Sequence, residues 1–249
     1  EWVITQFAIM TAGGTVVGMY PTSPSNEIEH LVNASDTEIL FIEDQEQFDK
    51  ITELKGKVPT LKKLVVFDDK GLGKEDFLDL TSIKQLQADG KWVVGQQSAE
   101  IQKRIDSLGY DDTALMVFTS GSTGAPKAAE ISNGNIHVAN SKVEWLFRGT
   151  KEGTNILSYL PLCHVAEQNM TVFNSLAARR VMNFGESLRT ITLDLRDAAP
   201  EIFFAVPRIW EKMQSGIYVQ ASITGPVERF LIQRGLKSGA DLRPEDYNL

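Results

Sequence analysis

The amino-acid sequence predicts an α/β fold made of mainly parallel sheets flanked by helices. Short apolar runs alternate with segments of helical periodicity, as in βαβ units. The runs 114–118 (ALMVF) and 202–206 (IFFAV) are apolar at every position, which is typical of strands buried on both faces in a parallel sheet. Of the 249 residues, 42% are hydrophobic and 23% are charged, an average composition for a globular protein.

The first part of the chain predicts helices and strands in alternation. The predicted elements are a helix over residues 2–10, a strand over 15–20, a helix that begins at Ser23-Pro24, a strand over 38–42, a helix over 45–54 and a strand over 64–67. Residues 68–112 are polar and contain several glycines, so we expect surface helices and a connection there. We therefore predict a first α/β subdomain over residues 1–110.

The second part, residues 111–249, predicts another α/β subdomain. Its predicted elements are strands over 114–118, 156–160, 180–184 and 202–206, and helices over about 134–147, 166–178, 193–198 and 208–221. Each strand is followed by a helical segment, which favours parallel pairing with helical crossovers.

Charge and cysteine content exclude several classes of function. The net charge is −8, which argues against a protein whose main partner is nucleic acid. Cys163 is the only cysteine, so an intrachain disulfide framework and a multi-cysteine zinc site are excluded, as is common for cytoplasmic proteins. No apolar run approaches the ~18 residues of a membrane span. The chain begins at Glu1-Trp2 without an initiator Met, and we expect a fragment of a longer protein.

The most informative segment extends from Thr119 to Lys127 and has the sequence TSGSTGAPK. It directly follows the apolar run 114–118, and open α/β sheets bind ligands at the carboxyl ends of their strands. Glycines permit positive φ angles and let backbone N–H groups surround an anion, hydroxyls add donors, and a lysine adds a positive charge. The segment therefore predicts a phosphate-binding loop, with Thr119, Ser120, Gly121, Ser122, Thr123, Gly124 and Lys127 as the binding residues.

A flexible turn between strand and helix is the alternative interpretation of this segment. Such turns are common, but four hydroxyls in one connection and a buried strand before it favour the phosphate loop. The segment is not a Walker A motif, because Lys127 follows Pro126 and precedes Ala128. It also lacks the G-x-G-x-x-G dinucleotide pattern and the G-x-S-x-G nucleophile elbow.

The segment from Thr119 to Lys127 resembles the phosphate loop of the adenylate-forming superfamily, which includes acyl-CoA synthetases, peptide-synthetase adenylation domains and luciferases. Other segments resemble long-chain fatty acyl-CoA synthetases in particular, and together they extend over nearly the whole chain. These segments are 1–4 (EWVI), 12–14 (AGG), 20–22 (YPT), 132–136 (SNGNI), 160–167 (LPLCHVAE) and 205–213 (AVPRIWEKM). The resemblance implies an N-terminal fragment of the large domain of an acyl-CoA synthetase-like fold.

The resemblance also implies a reaction. A fatty acid carboxylate attacks the α-phosphate of ATP, pyrophosphate leaves, and the thiol of coenzyme A then displaces AMP from the acyl-adenylate. Expected small molecules are the fatty acid, ATP, Mg²⁺ and coenzyme A, the last as a substrate. By matching position, the phosphate loop holds the β- and γ-phosphates and Thr119 lies near the Mg²⁺.

His164 occupies the position at which these enzymes have an aromatic or histidine residue beside the acyl carboxylate and the adenylate. A structural histidine is the alternative from sequence alone, and the resemblance favours substrate positioning over general-base catalysis. We interpret Cys163 as a packing residue, because adjacent strand residues face opposite sides and would not form a dyad. His30 and His137 lie in helical segments without partners at metal-ligand spacing.

Two positions depart from the pattern, since Ala128 replaces a common glycine and Asn133 replaces a more usual histidine. The sequence lacks the Tyr-Gly-x-Thr/Ser-Glu segment, the ribose-binding Asp and the C-terminal domain with its adenylation lysine. We therefore expect this part of the enzyme to be inactive alone. A fatty acyl-AMP ligase that passes acyl groups to a carrier protein and a non-catalytic nucleotide-binding relative stay open as alternatives. We expect a cytoplasmic location, and peripheral membrane contact stays open because fatty substrates partition into membranes.

Overall fold

A computed structural model describes residues 1–72, 78–119 and 124–240. The chain divides into two units, Glu1–Ile202 and Phe203–Leu249. The first unit contains three β-sheets whose strands are mostly parallel, which confirms the predicted α/β class. The subdomain boundary between residues 110 and 111 stays a prediction.

The helices and strands occur in a fixed order along the two units. They are α1 Trp2–Thr11, β1 Val16–Val17, α2 Ser25–Ala34, β2 Ile39–Ile42, α3 Gln45–Thr52, β3 Lys63–Val66, β4 Asp79–Ser82, α4 Ile83–Ser107, β5 Thr113–Thr119, β6 Lys127–Ser132, α5 Asn133–Leu146, β7 Asn155–Ser158, α6 Val165–Glu167, a π-helical segment Gln168–Phe173, α7 Asn174–Ala177, β8 Val181–Phe184, α8 Ile191–Ala198, α9 Pro207–Ile223 and α10 Pro226–Ala240.

Strands β1, β5 and β6 form the sheet that carries the TSGSTGAPK segment. β1 is parallel to β5, with Val16 opposite Leu115, and β6 is antiparallel to β5. We expected the segment to lead from a strand directly into a helix, and this expectation is wrong because β6 intervenes before α5. Four of the six residues of β6 are exposed, so this edge strand has no apolar pattern that the sequence could display.

Strands β2, β3 and β4 form a fully parallel sheet with β3 in the middle. Residues of α2 and α3 pack with the strands in one core. Its buried members are Ile28, Val32, Ile42, Phe48, Ile51, Leu54, Val58, Leu61, Leu64 and Val66. Strand β4 was not predicted, because its sequence DLTS is polar and it lies at the sheet edge. The polar stretch that we assigned to surface helices contains α4, a 25-residue helix with a kink at Gln97.

Strands β7 and β8 form a parallel pair. The predicted strand over 202–206 is wrong beyond its first residue, since only Ile202 forms a bridge, to Ile156. The side chain of Arg180 is buried just before β8. It donates hydrogen bonds to Thr150 Oγ1 at 2.9 Å and to Asn174, and it lies 3.4 Å from a carboxylate oxygen of Glu144. These contacts fix α5 and α7 beside the pair.

None of the described helices is both long and apolar enough to span a membrane.

Gly18 lies where the segment after β1 passes Cys163. A Cβ atom at Gly18 would come within 2.8 Å of both Cα and Cβ of Cys163. Neither atom can rotate away, because both belong to the backbone or are directly attached to it. Glycine is therefore required here by space, and the contact holds the segment after β1 against the segment before α6.

We expect Gly18→Ala to lower the free energy of unfolding by about 1–3 kcal/mol, the usual cost of overpacking. Gly90→Ala within α4 is the matched control, because its Cβ would meet nothing within 4 Å, and it should stabilise the protein by about 0.5–1 kcal/mol. Urea denaturation of both variants measures the difference. Equal stability of Gly18→Ala and the wild type would contradict the close approach.

Candidate functional site

The candidate site lies at one edge of the sheet formed by β1, β5 and β6. Because β1 and β5 are parallel, the segments that follow them leave the sheet at the same edge. The segment after β1 contains Tyr20 and leads into α2, and the segment after β5 is TSGSTGAPK. The structure thus brings two distant parts of the chain together where open α/β sheets bind ligands.

Thr119 and Lys127 form the base of the predicted phosphate loop. They lie opposite each other at the last pair of the β5–β6 hairpin, and both are exposed. Within the described ranges, Lys127 forms no salt bridge. An exposed lysine without a carboxylate partner is available to an anionic ligand.

The remaining loop residues divide into two groups. Ser120, Gly121, Ser122 and Thr123 lie outside the described residues, so their part in phosphate binding stays a prediction. Gly124 is described, and the positive φ that we expected there is wrong, since the glycines with positive φ lie elsewhere in the chain. A Cβ at Gly124 would meet nothing within 4 Å. Neither backbone conformation nor space among the described residues requires glycine at this position.

His164 lies at the N-cap of α6 and is exposed. Its ring contacts the ring of Tyr20 edge to face, with 6.4 Å between the centroids. Tyr20 belongs to the segment after β1, so this contact places His164 on the Tyr20 side of the sheet edge. The contact also orients the imidazole without using either ring nitrogen, which leaves both nitrogens for a ligand.

Cys163 is buried, which agrees with its interpretation as a packing residue. Burial raises the pKa of its thiol to about 11, although a hydrogen bond with the Tyr20 side chain acts in the opposite direction. Burial also raises the pKa of the Tyr20 hydroxyl. A thiol with so high a pKa is almost entirely protonated near neutral pH and is a poor nucleophile.

Glu167 is a buried acid that follows His164 by three residues. Its side chain is only 1% exposed, and Ser158 Oγ at the end of β7 donates a hydrogen bond to Glu167 Oε1 at 2.5 Å. Burial raises the pKa of the Glu167 carboxyl, while hydrogen bonds from Ser158 and Thr171 act in the opposite direction. The group fixes the helix that follows His164 to the end of β7.

Gln168 continues this buried network on the other side of the same helix. Its side chain exchanges two hydrogen bonds with the Gln6 side chain, at 2.7 and 3.0 Å, and also donates to the Leu162 carbonyl at 2.5 Å. Gln168 begins the π-helical segment, and such segments often occur at functional sites. The backbone before His164 is therefore anchored to α1.

Helix α2 contacts the base of the loop through His30. Nε2 of His30 lies 2.8 Å from the carbonyl oxygen of Pro126. The His30 ring also lies edge to face against Phe118, with 6.3 Å between the centroids. We assigned no role to His30 from the sequence, and its contact with Pro126 spans 96 positions of the chain.

Two apolar cavities of about 500 and 570 Å³ lie beside the segment after β1. Both are lined by Trp2, Met19, Leu40, Phe41 and Phe67, and the smaller one is also lined by Tyr20 and Leu162. Of the described site residues named above, Tyr20 is the one that lines a cavity. The cavities thus border the Tyr20 side of the edge.

The described residues contain no cluster of three or more histidine, cysteine, aspartate or glutamate side chains that could hold a metal ion. The exposed hydroxyl of Thr119 is an oxygen ligand suitable for Mg²⁺, which in phosphate sites commonly keeps several waters and takes further ligands from the phosphates. Thr119 therefore fits a metal ion that arrives with a nucleotide.

A model of the family described as AMP-binding enzyme matches residues 1–245. The chain is 28% identical to the long-chain-fatty-acid–CoA ligase ACSBG2 of Xenopus laevis, over 92% of this chain and 31% of the relative. It is 27% identical to the long-chain-fatty-acid–CoA ligase heimdall of Drosophila melanogaster, over 97% and 36%, and 30% identical to ACSBG2 of Mus musculus, over 87% and 33%. The chain thus spans about one third of the length of these curated relatives.

Solved structures show the same fold at lower identity. The inhibitor-bound N-terminal domain of FACL13 from Mycobacterium tuberculosis matches 86% of this chain and 49% of its own, with a TM-score of 0.62 and 17% identity. The anthranilate CoA ligase AuaEII in complex with anthranoyl-AMP matches 82% of this chain and 38% of its own, with a TM-score of 0.62 and 19% identity.

The burial of Cys163 predicts its chemical reactivity. A thiol pKa of about 11 lowers the thiolate fraction at pH 8 at least about 100-fold relative to an ordinary cysteine. We expect iodoacetamide to label Cys163 at least about 100-fold more slowly in the native protein than in urea, as followed by mass spectrometry of its peptide. Rapid labelling of the native protein would show that the thiol is accessible and ionised.

The burial of Glu167 predicts a pH dependence of stability. Because the pKa is raised in the folded state, the wild type loses stability as the pH rises from about 4.3, the ordinary Glu value, to the raised value. Glu167→Gln keeps an acceptor for Ser158 and cannot ionise, so it should gain stability relative to the wild type over this interval. Urea denaturation between about pH 4 and about pH 8 measures the difference, with Glu152→Gln on the surface as control. A difference that does not change with pH argues against a raised pKa.

Proposed function

Because the chain belongs to the AMP-binding enzyme family, we propose that it forms the phosphate-binding part of a long-chain fatty acid–CoA ligase. The observation that carries this proposal is the exposed Lys127, which has no described carboxylate partner and lies opposite Thr119 at the ligand edge of the sheet. The long-chain-fatty-acid–CoA ligases among the relatives supply the substrate class.

The first half-reaction has to overcome repulsion between two anions. A fatty acid carboxylate must approach the α-phosphate of ATP, and pyrophosphate must leave with additional charge. Lys127 lies at the end of β6, where its ammonium group can offset the charge of the β- and γ-phosphates. Catalysis of this kind depends mainly on positioning and electrostatic stabilisation.

Thr119 lies across the hairpin from Lys127 and supplies a neutral oxygen. We propose that its hydroxyl is a ligand of Mg²⁺, which neutralises charge on the phosphate oxygens when it is bound. A hydroxyl on one strand and an ammonium group on the other would contact different phosphate oxygens and so restrict the orientation of the triphosphate.

His164 and Tyr20 supply the other side of the proposed site. Their edge-to-face contact at 6.4 Å holds the imidazole at the sheet edge, and we propose that it positions the carboxylate that attacks ATP. Tyr20 also lines the smaller apolar cavity, so a polar head group and an apolar chain would find different surroundings on its two sides.

The second half-reaction transfers the acyl group to the thiol of coenzyme A. Transfer to a carrier protein is the alternative, and the acceptor is tested by supplying each thiol to preformed acyl-adenylate. The proposed location is the cytoplasm, with peripheral contact to a membrane, because long-chain fatty acids partition into bilayers and the enzyme must collect them there.

We expect Lys127→Ala in the intact protein to reduce fatty acid-dependent ATP–pyrophosphate exchange by about 100-fold, the usual effect of removing one group that stabilises developing charge. Thiolysis of preformed acyl-adenylate should fall much less, because pyrophosphate has left before that step. Lys142→Ala, on the exposed face of α5, is the matched control and should change neither rate. An equal loss in both half-reactions would reject the assignment of Lys127 to the phosphates.

A further inference from the structure

We propose that His30 is a positioning residue that holds the base of the phosphate loop in place for the triphosphate of ATP. The inference rests on the proposed function, because it assigns His30 to the same nucleotide site. Its support is a pair of contacts that join α2 to both sides of the loop base.

The first contact is a hydrogen bond from the His30 ring to the backbone. Nε2 lies 2.8 Å from the Pro126 carbonyl oxygen, and a carbonyl can only accept, so Nε2 carries the proton and donates. The peptide between Pro126 and Lys127 is trans. In a trans peptide the C=O and the following N–H point in opposite directions. The hydrogen bond therefore also directs the N–H of Lys127 away from α2.

The second contact is with the other strand of the hairpin. The His30 ring lies edge to face against Phe118, with 6.3 Å between centroids and an interplanar angle of 75°. Phe118 immediately precedes Thr119, and Pro126 immediately precedes Lys127. One side chain thus contacts a residue next to each of the two proposed ligands, and it limits their separation and twist.

Helix α2 is a firm support for these contacts. Ile28, Leu31 and Val32 are buried, and at 100° per residue they form one face of the helix. His30 lies about 150–200° away from Ile28 and Val32 on the helix, on the opposite face. The core therefore fixes the helix on one side, and His30 carries that constraint to the loop base on the other.

The loop base has little other support on its outer side. Gly124, Ala125, Lys127 and Ala128 are exposed, and β6 is an edge strand that pairs only with β5 among the described strands. An exposed hairpin end of this kind frays easily, because few contacts oppose its motion. The two contacts of His30 act at the position where fraying would separate Thr119 from Lys127.

The test uses three substitutions of His30 in the intact protein. Gln places an amide N–H close to where Nε2 of histidine lies, Asn is too short to reach Pro126, and Ala removes the side chain. We expect His30→Ala and His30→Asn to reduce kcat/KM for ATP in pyrophosphate exchange by on the order of five- to tenfold, the effect of one net hydrogen bond. His30→Gln should recover most of this loss, and thiolysis of preformed acyl-adenylate should stay unchanged in all three. His137→Gln on exposed α5 is the matched control.

Hydrogen exchange separates failure of this inference from failure of the proposed function. Peptides covering residues 124–132 should exchange faster in His30→Ala and His30→Asn than in the wild type and His30→Gln, while peptides from β2 and β3 should not change. If the wild type catalyses no pyrophosphate exchange, the proposed function fails, and the exchange data alone decide whether His30 holds the hairpin. Unchanged exchange in His30→Ala, an equal loss in both half-reactions, or a His30→Gln variant as impaired as His30→Asn would overturn the role of His30.

Discussion

The parallel pairing of β1 with β5 is the constraint on which the candidate site depends. β1 has only two residues, and the hydrogen bond from Thr15 to Thr113 beside it joins positions 98 residues apart. Closing so long a loop costs conformational entropy, and burial of Val16 and Leu115 with Phe173 in one core cluster offsets that cost. Because the strands run in the same direction, Tyr20 and His30 follow one strand and Thr119 ends the other at a common edge. An antiparallel pairing would place these residues at opposite ends of the sheet.

Apolar patterning predicted the buried elements well and the edge elements poorly. The apolar runs of β2, β3, β5 and β7 and the periodic helices α1 and α3 lie where the sequence predicts them. β4 and β6 were missed because edge strands bury little, and their polar sequences resemble loops. The run 202–206 was assigned too much strand, since an apolar segment can be buried without pairing and only Ile202 finds a partner.

The site itself was predictable in its chemistry and not in its supports. Hydroxyls, glycines and a lysine in one short segment indicate phosphate binding by residue type alone, and Thr119 and Lys127 lie where that interpretation requires. His30 carries no such signal, because a histidine on a helix acquires a role only from what the fold places beside it. The same holds for Glu167, whose burial depends on the packing of the helix after His164 against β7.

The distribution of polar groups in the first unit explains how an acidic chain can present a site for anions. Buried polar side chains such as Gln6, Gln168 and Glu167 have their hydrogen bonds met by neighbours, as an unpaired buried group would destabilise the fold. At the sheet edge the opposite holds, since Lys127 and His164 are exposed and keep charge or ring nitrogens free of partners among the described residues. Salt screens remote carboxylates beyond about 8 Å, while donors in direct contact with a phosphate are not screened. The net charge of −8 therefore sets the long-range field, and the unpaired groups at the edge determine which ligand binds there.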